Sequence, residues 1–282
     1  MPTATRGWRL ALRLLSYLAA GGLLLFTTAC ASTRASAPAG PAIEVLWAEY
    51  ERAVDDARYP RPERISRDLV AITAAFPDLV WDGTRQRVLM VAWTDGSRFA
   101  PGESKLSRPT WLTAVPFLER FCQASGLRGT ALETRLDQRL GLPPQGSVHD
   151  TFVEMWIDPA DLFRACPDPE INDHECLVNL TAGDVDRGGS CPWSAALKQQ
   201  VSGRFVSVAR GHLDWMCQTW ASSYPPGQPR RSFPWTALGY TYDWSPASRN
   251  HIGDSEFVAP AGTAVAVRRA VPTAQYCRPD QR

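Results

Sequence analysis

The sequence predicts one mixed α+β domain held by disulfides, and three observations carry that prediction. Apolar residues recur at helical spacing early in the chain, as in Ile43, Leu46, Trp47, Tyr50 and Val54. Short apolar runs bounded by turn residues begin at Val88 and crowd the last quarter. Six cysteines follow Cys30, namely Cys122, Cys166, Cys176, Cys191, Cys217 and Cys277. An even set without a C-x-x-C pair reads as three disulfides rather than a zinc site, and six cysteines leave the pairing open.

The elements follow in order. The helix at Ile43–Val54 stops at Tyr59-Pro60-Arg61-Pro62, because proline removes a donor and clashes with the preceding turn. A second helix is expected with Ile65, Leu69, Ile72 and Phe76 on one face and Pro77 ending it. Val88–Thr94 reads as a strand closed by Asp95-Gly96, and Trp111–Val115 as another. Pro116 then opens a helix through Phe117, Leu118, Phe121 and Cys122, and Thr130–Leu140 gives the next, ending at Gly141. Phe152–Ile157 is a third strand. Asp158 before Pro159 is an N-cap with proline at the first helical position, opening a short helix to Cys166. Residues 167–189 form an acidic loop bearing Asp168, Glu170, Asp173, Glu175, Asp184 and Asp186. Their spacing does not fit the EF-hand loop, so a solvated loop is expected there. Leu213, Met216, Cys217 and Trp220 return to helical spacing, and strands are expected at Leu238–Trp244, Glu256–Val258, Thr263–Val267 and Ala274–Cys277. Helices therefore dominate the first half and antiparallel strands the last quarter.

Residues 1–29 read differently. Arg6, Arg9 and Arg13 precede an uncharged apolar run from Leu14 to Ala29, which closes on small residues before Cys30. A positive region, an apolar region and a small-residue processing site make an export signal. The run contains Gly21 and Gly22 and falls short of the roughly 20 apolar residues of a spanning helix. The segment Thr27-Thr28-Ala29-Cys30 resembles the lipobox of bacterial lipoproteins. That resemblance implies cleavage before Cys30, acylation of its thiol and new amino group, and a membrane anchor; with no aspartate after Cys30, it implies the outer membrane where the cell has one. The organisation is thus a signal at 1–29, a flexible tether at 30–41 rich in Ala, Ser and Pro, and one globular domain at 42–282.

Net charge is +1 for the whole chain, and the signal carries three arginines and no acid, so the mature chain is slightly acidic. That excludes the basic stripe a nucleic-acid binder needs. Only Lys105 and Lys198 are lysines. No cofactor and no metal is expected; the partners expected are a membrane through the lipid anchor and a small-molecule or glycan ligand.

Candidate chemistry lies in the C-terminal quarter. Gly253-Asp254-Ser255 resembles the nucleophile block of GDS-type esterases, but the last histidine, His251, precedes the serine, so the required downstream base is missing. An acid at the start of a strand, a proline and glycine turn and an alternating strand run from Glu256 to Val267. This is similar to the glutamate strand of ADP-ribosyltransferases and to the last strand of NAD glycohydrolases. The resemblance implies Glu256 as an essential carboxylate stabilising positive charge on ribose, with Tyr240 or Trp244 stacking on nicotinamide and Asp254 as a further catalytic candidate. Trp193, Trp215, Trp220, Trp235 and Trp244 cluster late in the chain, and a glycan-binding groove is a third reading for them. The FVEMW block at Phe152–Trp156, the DLFR at Asp161–Arg164, the CPDPEI at Cys166–Ile171 and the GYTYDW at Gly239–Trp244 with SEFV at Ser255–Val258 resemble a group of bacterial exported proteins. That resemblance implies one coherent domain and no particular activity.

Overall fold

The computed structural model describes residues 41–96, 99–144, 149–176, 191–193 and 211–279. The signal, Cys30 and the tether up to residue 40 lie outside the described residues. The domain is α+β and built on a sheet of seven antiparallel strands in the order β2-β9-β4-β1-β3-β8-β5. The strands are β1 (Val88–Thr94), β2 (Gly102–Lys105), β3 (Thr110–Ala114), β4 (Thr151–Ile157), β5 (Phe163–Arg164), β8 (Phe257–Ala259) and β9 (Ala264–Pro272). A separate two-stranded ribbon pairs β6 (Tyr240–Tyr242) with β7 (Ile252–Ser255).

Strand periodicity explains the layering, because alternate side chains leave opposite faces. Val88, Met90 and Ala92 join Leu112, Ala114, Val153, Met155 and Phe257 in one core, covered by the irregular stretch carrying Val70, Ile72 and Leu79. Leu89, Val91 and Trp93 face the other way, with Phe152 and Val271, toward α2 (Phe117–Ser125), α3 (Gly129–Leu140) and α5 (Thr273–Tyr276). A third core joins α1 (Ile43–Ala57), α4 (His212–Ser223) and the ribbon, and it is rich in aromatic rings, including Tyr50, Trp193, Trp220, Trp235 and Trp244.

The expected helix over Ile65–Phe76 is not formed. Only the short 3-10 turn Pro62–Arg64 precedes an irregular segment. Its backbone donors are taken by distant partners: Leu69 N–H donates to the His174 carbonyl at 2.8 Å, Ile72 N–H to that of Ile171 at 2.6 Å, and Val70 N–H to Ser255 Oγ at 2.8 Å. Tertiary hydrogen bonds thus replace the intrahelical ones, and the apolar spacing serves an extended chain. The strand expected at Ala274–Cys277 is the helical turn α5, and the helix expected after Pro159 is a 3-10 turn, Pro159–Asp161, followed by β5. Asp158 does cap that turn, accepting from Ala160 N–H at 2.9 Å. The all-exposed polar strand β2 carried no apolar signal in the sequence.

The acidic loop is not simply solvated. Its described part wraps the fully buried Arg164, whose guanidinium donates to the backbone carbonyls of Glu170, Val70 and Asp173 at 3.1, 3.3 and 2.8 Å. Asp168 is buried beside it, and Asp168, Glu170 and Asp173 bring carboxylates close together. An arginine at the heart of the cluster supplies the positive charge a cation would otherwise bring. Asp184 and Asp186 lie outside the described residues.

All six cysteines downstream of Cys30 pair: Cys122 with Cys277, Cys166 with Cys176, and Cys191 with Cys217. The first spans 155 residues and ties α2 to the chain end. Closing so long a loop removes much entropy from the unfolded chain, so the double substitution Cys122→Ser and Cys277→Ser is expected to lower stability by about 2–4 kcal/mol. Urea unfolding of the oxidised protein measures it; an unchanged midpoint would show the bridge contributes nothing.

Candidate functional site

The ribbon is fixed before the site can exist. Arg135 on α3 clamps Asp243 with two hydrogen bonds, 3.0 and 2.6 Å, and Arg139 one turn later holds Asp254 at 2.8 and 3.3 Å. Both carboxylates are almost completely buried. Thr241 Oγ1 donates to the Arg139 carbonyl at 2.8 Å and accepts from Asp254 N–H at 2.8 Å. The Trp244 indole N–H reaches the carbonyls of Asp137 and Leu142, at 3.0 and 2.9 Å. This close approach requires glycine at 253, where a Cβ would sit 2.5 Å from the Arg139 carbonyl oxygen. At Gly141, which ends α3 with φ of 67°, left-handed backbone lets the chain turn under Tyr242.

Glu256 is the residue at which the chain leaves the ribbon and enters the main sheet. Ser255 ends β7, Phe257 begins β8, and Glu256 N–H donates to the Gly239 carbonyl at 2.9 Å. Beside it opens a cavity of about 690 Å³, within the usual size range of small-molecule sites, about 300–1,000 Å³. One wall comes from the sheet and its helices: Val91, Trp93, Thr113 and Leu118. The other comes from the aromatic core: Trp215, Trp235, Tyr240 and Tyr242. Trp111 and Phe233, also on the lining, are 37% and 44% exposed and form its rim.

On residues of this lining, Thr113 Oγ1 and His149 Nδ1 are closed to solvent and without a hydrogen bond, while Glu256 Oε2 and Trp235 Nε1, also closed to solvent, have no well-formed hydrogen bond although the indole lies near enough to act on the carboxyl as a donor. Buried polar atoms are nearly always paired, so Thr113 and His149 are unusual among the side chains of this lining. Burial pushes the Glu256 carboxyl up to about 8, against a smaller opposing effect of the Trp235 indole. Burial also lowers His149 below the usual imidazole range, with Asp150 acting in the opposite sense. At neutral pH the Glu256 carboxyl is therefore largely protonated and His149 neutral.

Of the residues singled out in the sequence, Glu256 and Tyr240 share the cavity. The Tyr240 hydroxyl, however, points to the Arg64 carbonyl at 2.7 Å, so the ring presents only its body to the lining. Asp254 is not on the lining; it is bound to Arg139 as described. Ser255 Oγ accepts from Val70 N–H, which gives the Gly253-Asp254-Ser255 block a structural role. Of the five late tryptophans, Trp215 and Trp235 line the cavity, while Trp193, Trp220 and Trp244 are buried among other rings and are not on its lining. The sequence did not single out Thr113, Trp111 or His149: a threonine inside an apolar strand carries no signal until its neighbours across the sheet are known.

The Glu256 carboxyl has a testable linkage. Its folded value lies above that of an exposed glutamate, so the folded state holds the proton more tightly. Stability from this group is complete below the unfolded value, about 4.5, and is lost as pH rises toward 8. Glu256→Gln is expected to remove this loss, so the stability difference, wild type minus variant, falls by up to about 1.4 kcal/mol per pH unit across that window. Urea titrations of both proteins from pH 5 to pH 9 measure the slope; parallel curves would show that the carboxyl is not held neutral. No protein-family model, curated protein or solved structure matches this chain, and the chemistry of the cavity rests on the residues that line it.

Proposed function

We propose that this chain is a cell-envelope lipoprotein, anchored through Cys30, whose folded domain binds a small molecule in the Glu256 cavity. A cavity of about 690 Å³ lined by Glu256 and by the rings of Trp111, Trp215 and Trp235 carries the binding reading. The three disulfides support maturation in an oxidising space. Among the described residues no helix is long and apolar enough to cross a membrane, and the lipobox-like ending at Cys30 supplies the attachment.

Two measurements test this. Protein purified from its host membrane is expected to begin at an acylated Cys30, and Cys30→Ser to release the folded domain into the soluble fraction; an unmodified start downstream of Cys30 removes the anchor. A panel of small neutral, anionic and cationic compounds is expected to contain at least one that both raises Tm and changes tryptophan fluorescence, since Trp111, Trp215 and Trp235 line the site. A panel with no such compound removes the binding reading.

An NAD-consuming enzyme is a second reading, favoured by Glu256 and Tyr240 sharing the cavity. Its difficulty is physical: a carboxyl protonated at neutral pH does not stabilise developing positive charge. That reading expects NAD turnover by the oxidised protein, rising with pH and lost in Glu256→Gln; absence of turnover at pH 9 ends it.

A further inference from the structure

The proposed ligand site also constrains the charge of its ligand. Three of the carboxylates this chain buries are held by arginine. Glu154, completely buried in β4, is gripped by Arg269 at 2.7 and 2.6 Å and by Arg268 at 3.2 Å, a β-bulge at Glu154/Met155 letting both reach it. Asp243 has Arg135, and Asp254 has Arg139. Glu256, half-buried and on the cavity lining, has no ion-pair partner among the described residues, and its one polar neighbour is the neutral Trp235 indole. A buried carboxylate is stable only with a countercharge or with dense hydrogen bonding. The protein provides neither, and leaves a cavity beside the group.

The surroundings of Glu256 suit a positive group. The rings of Trp111, Trp215 and Trp235 stand 6.0–6.2 Å apart by centroid, Trp235 edge-on to the other two. Together they form a continuous aromatic wall on the cavity. Aromatic faces attract ammonium groups through the ring quadrupole, more strongly once both are desolvated. Arg108 is the one permanently cationic side chain on the described lining, and it is exposed, where water and salt screen it. We propose that the cavity takes a small organic cation, its ammonium or quaternary ammonium head set against Glu256 and the tryptophan wall; the proposal rests on the cavity being a ligand site.

A competing use of Glu256 predicts the opposite pH response. A protonated carboxyl donates a hydrogen bond to a neutral acceptor, and that binding weakens as the proton is lost. A cation needs the ionised form, and its binding strengthens. The other ionisable groups on the described lining leave the window clear. Burial holds His149 below its usual range, burial pushes Tyr240 up to about 12, and burial followed by the Asp56 contact raises Tyr242. Arg108 stays charged throughout.

The experiment uses the full mature domain with its disulfides intact. Choline and its neutral carbon isostere, carrying a tert-butyl group in place of trimethylammonium, are titrated by calorimetry and tryptophan fluorescence at pH 7 and pH 9. Choline is expected to bind about tenfold or more tightly than the isostere at pH 9, and its affinity to rise up to about tenfold between the two pH values as one carboxyl ionises. Glu256→Gln is expected to abolish both the preference and the pH dependence. Glu256→Asp, which keeps the charge on a shorter arm, retains the pH dependence with weaker binding. The pH comparison on wild type needs no variant to fold. An isostere that binds as well as choline, or a choline affinity that falls with pH, overturns the cation assignment and leaves the ligand site standing. Failure of both probes, where another compound in the panel binds, has the same meaning; failure of every compound removes the ligand site itself.

Discussion

The clamp between α3 and the ribbon is the interaction on which the rest of the site depends. Arg135 and Arg139 lie one turn apart on one helix face and reach Asp243, just past the end of β6, and Asp254 on β7. Buried ion pairs gain little net stability, because desolvation offsets the attraction. Their effect here is geometric. Each guanidinium meets its carboxylate through two nitrogens, which fixes orientation as well as distance. With the ribbon held in that orientation, the next residue but one after Asp254 is Glu256, and it must fall at the seam between the ribbon and the main sheet.

That seam is also where the packing changes character. The faces of the main sheet mix aliphatic side chains with rings such as Trp93, Phe152 and Phe257, whereas the ribbon side is dominated by rings and flanked by Arg–Asp pairs. The cavity lies between them, with residues of both on its lining. The contrast among buried acids follows. Glu154 sits inside the sheet, where a bulge brings two arginines to it; Glu256 sits at the seam, with aromatic rings for neighbours. A neutral carboxyl on the same lining as the unpaired Thr113 hydroxyl costs stability, and such local costs concentrate where a ligand is to be met.

The disulfides act on the periphery of this arrangement. Cys122–Cys277 ties the helical layer to the end of the chain, and Cys191–Cys217 attaches the short 191–193 segment to α4, whose Trp215 forms part of the aromatic wall. Cys166–Cys176 closes the loop around Arg164, which also packs against Phe257 next to Glu256. The bridges thus hold the outer shell of both walls of the cavity, leaving its lining to side-chain packing.

Much of this was legible in the order of residues alone. The strands at Val88–Thr94 and Phe152–Ile157, the helices at Ile43 and Thr130, and the presence of three disulfides all follow from local periodicity and cysteine count, since those signals depend only on near neighbours. The Ile65–Phe76 stretch shows the limit: its apolar spacing is helical, yet its N–H groups are claimed by His174, Ile171 and Ser255, partners that sequence spacing does not reveal. Glu256 was nameable as a candidate acid, but its neutrality, its missing countercharge and its neighbours Thr113 and Trp111 come from three separate strands meeting. Sequence by itself determined the strongly periodic helices and strands and which cysteines are available to pair; tertiary structure decided the Ile65–Phe76 stretch and which carboxylates receive an arginine, because burial and charge pairing are properties of distances through space and not along the chain.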